Sequence, residues 1–143
     1  MARTTIHVSV EPERVFGVLA DPFLYPQWVV GCKEVRRVDG DWPEPGATFH
    51  HSVGLGPISV RDSTSVVESE PAQRLVLRAR ARPTGVARVE LELAAVDGGT
   101  RVAISERPIA GPPALLHNPA QDWFIDRRNR NSLCRLKRLA EER

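Results

Sequence analysis

The sequence predicts an α+β domain: an antiparallel sheet of about seven strands packed on one long C-terminal helix, with two short helices after the first strand. Three observations predict it. Apolar residues recur at every second position through most of residues 32–107, the repeat of half-buried strands. The connections in that stretch are short and rich in turn residues, which joins successive strands antiparallel. Beyond Leu116 the period becomes helical, and Ile125, Ser132, Leu133, Leu136 and Ala140 fall on one side.

Taken in order, Thr4 to Val10 alternates Ile6, Val8 and Val10 with Thr5, His7 and Ser9, a half-buried strand. Glu11-Pro12-Glu13 opens a helix, with Pro12 suited to its first position and Glu13 to the positive end of its dipole. Val15, Phe16, Val18 and Leu19 give it one apolar side. Asp21-Pro22 stops it and starts a second short helical turn carrying Phe23, Leu24, Tyr25 and Trp28. Strands are expected at about 32–39, 47–53, 58–68, 74–82, 87–96 and 100–107. Between them lie Gly40 to Gly46, Gly54-Leu55-Gly56-Pro57, Glu70-Pro71, Pro83-Thr84-Gly85 and Asp97-Gly98-Gly99, the last a strong hairpin signal. Pro108 to Pro113 breaks the sheet before the long helix. That helix starts either near Pro113 or after Asn118-Pro119, with Asn118 as its cap. With no repeat, linker or low-complexity tract, residues 1–143 read as one domain.

Two strands reveal the inner face. Leu75, Leu77, Ala79 and Ala81 alternate with Val76, Arg78, Arg80 and Arg82, and Ala87, Val89, Leu91 and Leu93 with Arg88, Glu90 and Glu92. The charges are expected to cross-pair outside. The inward alanines either leave room or allow a helix to pack closely. On the long helix, Asn118, Asp122 and Asn129 share the apolar side, where polar groups are costly in a dry core. They predict that the first half of the helix roofs a cavity of roughly 300–1,000 Å³ holding water or a ligand.

Composition excludes several classes. A net charge of +2 gives no support to a nucleic-acid partner. No apolar run approaches the roughly 20 residues of a membrane span, and the N-terminus lacks the apolar core of a signal peptide, so a cytoplasmic protein is expected. Cys32 and Cys134 read as free, mostly buried thiols, and no Cys/His spacing suits a metal. Neither a metal nor any other cofactor is called for.

At this point the segments resemble a known family. Val10-Glu11-Pro12-Glu13-Arg14-Val15-Phe16, Asp21-Pro22 followed by Trp28, Glu70-Pro71-Ala72-Gln73-Arg74-Leu75-Val76-Leu77, Gly99-Thr100-Arg101-Val102 and Arg127-Arg128-Asn129-Arg130-Asn131-Ser132-Leu133 carry the likeness. In order and spacing they resemble the START-like (helix-grip, SRPBCC) superfamily, in the branch labelled polyketide cyclase/dehydrase and lipid transport. The resemblance implies a curved sheet gripping the C-terminal helix, with an apolar cavity between them. It implies no particular reaction, because the superfamily includes carriers as well as cyclases.

Candidate chemistry is therefore sought in the inward residues. His50-His51 lies in a strand, so its rings face opposite ways, and His51 shares parity with Phe49 and Val53. An inward His51 either shuttles protons or is a core histidine satisfied by a backbone carbonyl. Asp62, in parity with Val60 and Thr64, and Glu106, in parity with Val102 and Ile104, are inward carboxylates unless a bulge turns them out. With Asp122 they complete the set of acid/base candidates. Candidate ligand contacts are Tyr25 and Trp28, expected at the cavity rim; Phe49, His51, Leu77, Ala79 and Leu91 on the sheet; and Asn118, Asp122, Ile125 and Asn129 on the helix. Trp123 and Phe124 read as core flank, and most arginines as solvated faces.

Three functions fit: a carrier of a small, largely hydrophobic, lipid- or polyketide-like molecule; a polyketide aromatase/cyclase or dehydratase; or an interaction module using the arginine-bearing sheet face. The carrier is preferred, because no residue pair is placed well enough to demand catalysis. A homodimer is left open.

Overall fold

The alternating Thr4, Ile6 and Val8 build β1 (Ala2–Val8), an edge strand. The computed structural model describes residues 2–55, 57–81, 85–110 and 119–143. β1 ends two residues before its expected limit, because Ser9 and Val10 are bound elsewhere. Ser9 N donates to Glu141 Oε2 at 2.7 Å, and the Val10 carbonyl accepts from Thr100 Oγ1 at 2.7 Å. The chain then enters α1 (Pro12–Leu19), which buries Val15, Phe16, Val18 and Leu19. Asp21 Oδ1 accepts from Phe23 N at 3.0 Å and caps a 3-10 turn, Pro22–Leu24, that runs into α2 (Tyr25–Trp28). At the end of α1, the Leu19 carbonyl accepts from Tyr25 Oη at 2.8 Å and from Trp42 Nε1 at 3.0 Å.

Six strands follow as an antiparallel meander: β2 (Cys32–Asp39), β3 (Thr48–Leu55), β4 (Ile58–Glu70), β5 (Arg74–Ala81), β6 (Gly85–Val96) and β7 (Gly99–Ala110). The order across the sheet is β1-β7-β6-β5-β4-β3-β2, so the last strand returns to the first. Parts of two expected turns, Gly56 and residues 83–84, lie outside the described residues. Asp97-Gly98 is the hairpin turn, with Val96 paired to Gly99. Gly98 has φ of +79°, and a Cβ on Gly99 would lie 2.0 Å from the Val8 carbonyl oxygen.

The long helix α3 (Pro119–Glu142) buries Ile125, Asn129, Ser132, Leu133, Leu136 and Ala140. Thr4 Oγ1 donates to Asp126 Oδ1 at 2.6 Å and Lys137 Nζ to the His7 carbonyl at 3.0 Å, which lays the helix along β1. Residues 111–118, on which the two expected starts differ, lie outside the described ones. No described helix is long and apolar enough to cross a membrane.

Four expectations need correction. Cys134 is exposed and Cys32 only half-buried, because Cys134 sits one position off the buried row of α3. Trp123 and Phe124 are 61% and 59% exposed, flanking that row too widely to reach the core, and the Arg127 guanidinium lies 5.4 Å from the Trp123 ring. Val76 is fully buried on the outer face. Arg74 pairs with Glu68 at 2.7 Å and Glu90 at 3.4 Å, the two residues that stand opposite Val76 on the neighbouring strands. The outer charges pair only in part: Arg74 is opposite Glu92, but Arg78 is opposite Arg88, and Arg88 opposite Arg107.

Candidate functional site

β3 carries the first candidates. Its alternation turns Phe49 and His51 inward and His50 outward, where His50 Nε2 lies 2.8 Å from Asp39 Oδ2 of β2. That hydrogen bond is the main reason the Asp39 carboxyl lies below its ordinary pKa. His51 is buried, and its Nε2 lies 3.0 Å from Thr64 Oγ1 of β4. A side-chain hydroxyl thus stands beside Nε2, and the Ser63 backbone also acts on the ring. Burial pushes the imidazole below its ordinary pKa, against the opposing pull of the Asp62 charge and the Ser63 backbone. At neutral pH the ring is uncharged.

Asp62 faces His51 across the β3–β4 ladder, whose register runs unbroken from Thr48 to Leu55. It is buried, and its Oδ1 accepts from Ser63 N at 3.2 Å. Glu106 of β7 is also buried and forms an ion pair with Arg128 of α3. A buried carboxylate needs such a partner.

Between the sheet and α3 lies a cavity of about 170 Å³. Phe49, His51, Leu77, Ala79 and Leu91 supply its sheet wall, Asn129 its helix wall, and Tyr25 and Trp28 one end. Glu106 and Arg128 also line it. The volume falls below the expected range because rings occupy that end. Tyr25 lies 4.9 Å from both Trp28 and Phe49, centroid to centroid, and Trp42 backs Phe49 at 4.8 Å. Tyr25 and Trp28 are each 2% exposed, so they form an inner wall and not a rim. The Tyr25 hydroxyl is held by Leu19, and burial pushes its pKa well above the ordinary value. Burial likewise pushes the lining Cys32 thiol up to about 11, which keeps it protonated.

Not every candidate converges. Asp62, Asp122 and Ile125 are not among the lining residues, and Asn118 lies outside the described ones. The Thr4–Asp126 bond draws the first turns of α3 over β1, away from the centre of the sheet, which takes Asp122 and Ile125 with them. Thr64, Ile104, Arg128 and Ser132 line the cavity without having been singled out. Ser132 stood on the inner row of the helix, and Ile104 shares parity with Glu106, so both left a trace in the sequence. Arg128 lies one position off that row, and only the need of Glu106 for a cation pointed to it.

Comparison with known proteins agrees with this geometry. The family described as "polyketide cyclase / dehydrase and lipid transport" matches residues 2–141. The chain belongs to that family. A relative named as an uncharacterized protein of Mycobacterium tuberculosis is 31% identical over 120 residues, covering 79% of this chain and 70% of its own. Among solved structures, a START superfamily protein from Mycobacterium smegmatis superposes with a TM-score of 0.77 at 14% identity, covering 99% of this chain and 97% of that one. The di-domain aromatase/cyclase StfQ of the steffimycin biosynthetic pathway gives 0.75 at 12% identity, covering 98% of this chain and 50% of that one. At these identities the likeness concerns the fold, which is the α+β helix-grip.

The cavity's polar atoms are few. Trp28 Nε1, His51 Nδ1 and Asn129 Nδ2 are buried side-chain atoms without a hydrogen-bond partner among the described residues. All three belong to residues that line the one cavity. Among the described residues no three His, Cys, Asp or Glu side chains group as a metal site.

Proposed function

We propose that the chain binds a small, largely hydrophobic, lipid- or polyketide-like molecule between the sheet and α3, acting in the cytoplasm as a carrier without covalent chemistry. One observation carries this reading: the cavity has apolar and aromatic walls, while of its acid/base groups only one imidazole nitrogen, His51 Nδ1, stands open. Glu106 is tied to Arg128 and His51 Nε2 to Thr64, and the lining thiol is protonated. Isolated polar atoms in an apolar wall orient a ligand; catalysis by proton transfer needs an acid or base within reach of the reacting atom.

The second reading is a polyketide aromatase/cyclase or dehydratase. It draws support from the facing pair His51 and Asp62, both buried on neighbouring strands. Native mass spectrometry of the purified protein tests the first reading by looking for a co-purifying small molecule. Ligand titration followed by Trp fluorescence, in the parent and in Trp28→Phe, tests the site. Conversion of a poly-β-ketone mimic, abolished by His51→Gln or Asp62→Asn with binding intact, would replace the carrier by the cyclase.

A further inference from the structure

Resting on that reading of the cavity, we infer that its ligand is a neutral molecule presenting a single aromatic ring and a carbonyl-type acceptor oxygen, such as an aryl ketone, held by the Trp28 Nε1–H and the Asn129 amide. Size comes first. A cavity of about 170 Å³ is close to the roughly 150 Å³ apolar cavity that accepts benzene in another protein. It encloses one ring, and a fused-ring skeleton or a whole lipid tail would have to extend out of it. The walls suit a ring, because Tyr25, Trp28 and Phe49 offer aromatic surface on one side and Leu77 and Leu91 aliphatic surface on the other.

The polar atoms then select the ring's substituent. An indole N–H can only donate, and an amide nitrogen only donates. Trp28 and Asn129 are 2% and 3% exposed, and these two nitrogens have no acceptor among the described residues. Buried donors left unpaired are rare and costly, so two around one cavity call for acceptors brought by the ligand. Charge excludes the alternatives. An anion would meet Arg128 already paired with Glu106, or the exposed Arg80, whose charge water and salt screen, and a cation would meet Glu106 already paired with Arg128. His51, held neutral by burial, offers an anion no charge either.

The test uses three probes of equal heavy-atom count: acetophenone, isopropylbenzene and benzoate. They differ in offering a neutral acceptor, no acceptor or an anion. Their dissociation constants are measured by calorimetry on the parent, Asn129→Leu and Trp28→Phe, with thermal unfolding to verify that each variant is folded. The quantity read is the ratio of acetophenone to isopropylbenzene affinity, because comparing that ratio between proteins cancels the ligands' own hydration. It should fall by about fivefold to tenfold in each variant, the loss of one hydrogen bond. Benzoate should bind the parent at least about tenfold more weakly than acetophenone, since burying an unpaired anion is costly. An unchanged ratio in both variants, or benzoate as the tightest ligand, would overturn the inference. If one variant fails to fold, the other decides. N-phenyl-1-naphthylamine separates the two levels. Were it to bind while no single-ring probe did, this inference would fail and the carrier reading would stand; were nothing to bind, both would fail.

Discussion

Gly99 is the position where the fold leaves least room, and its replacement gives the sharpest stability prediction. A Cβ built there lies 2.0 Å from the Val8 carbonyl oxygen and 3.0 Å from the Ser9 Cα. Real Cβ contacts do not fall below 3.0 Å, so Gly99→Ala must push backbone apart by about 1 Å or more. Neither side can yield cheaply. Gly99 pairs with Val96 in the β6–β7 hairpin, and Val8 pairs with Thr100 at the end of β1. Overpacking of about 1–3 kcal/mol and backbone strain of about 1–2 kcal/mol sum to about 2–5 kcal/mol. The adjacent Gly98 separates the two effects. It has φ of +79° but nothing within 4 Å of its Cβ position, so Gly98→Ala should cost only the strain, about 1 kcal/mol. Gly17, within α1 and equally uncrowded, should give the opposite sign, with Ala stabilising by about 0.5–1 kcal/mol. Denaturant melts of the three variants read these values from the midpoint at constant slope. Equal losses at positions 98 and 99 would refute the argument, since only one of them meets backbone.

Three other perturbations test the electrostatics. Arg128→Met should cost about 2–3 kcal/mol, below the full penalty for stranding a buried charge because Arg128 is one-third exposed, and adding Glu106→Leu should recover most of it in a double-variant melt. His51 binds protons less readily folded than unfolded, so stability should fall as pH drops below the ordinary histidine value of about 6.5 and go on falling to the lowered folded value. The denaturation midpoint of His51→Gln should depend less on pH across that window, and parallel profiles would contradict the assignment. Arg78→Glu should stabilise by about 0.2–1 kcal/mol, because it replaces a like charge opposite Arg88, and added salt should shrink the gain.

Much of the fold was legible because strand and helix periods are local properties. Leu75, Leu77, Leu91 and Leu93 declared the inner face, and the structure buries all four. Asp97-Gly98-Gly99 fixed a hairpin by turn chemistry alone. The site was less legible because it depends on how the helix lies over the sheet, which no single segment encodes. Asn129 and Asp122 stand on one helical row, yet only Asn129 lines the cavity, since a hydrogen bond from Thr4 to Asp126 sets the helix's course. The role of Arg128 was hidden for another reason: an arginine beside a buried row looks like any solvated residue until its buried partner on a distant strand is placed. Val76 shows the converse, an outward residue that is nonetheless fully buried, between the paired charges of its neighbours.

The pairing of the first strand with the last has a consequence for how this chain comes to exist. Ile6 pairs with Val102, so β1 leaves the ribosome long before the strand that becomes its neighbour. The hairpins from β2 to β6 can form as they emerge, each from contacts close in sequence. β1 cannot, and α3, which lies along it, is made later still. The cavity, walled by strands of the meander and roofed by α3, is therefore completed only once α3 has been made. A nascent chain would hold an unroofed apolar sheet face until then, so shielding by a chaperone matters most between the emergence of β7 and that of α3.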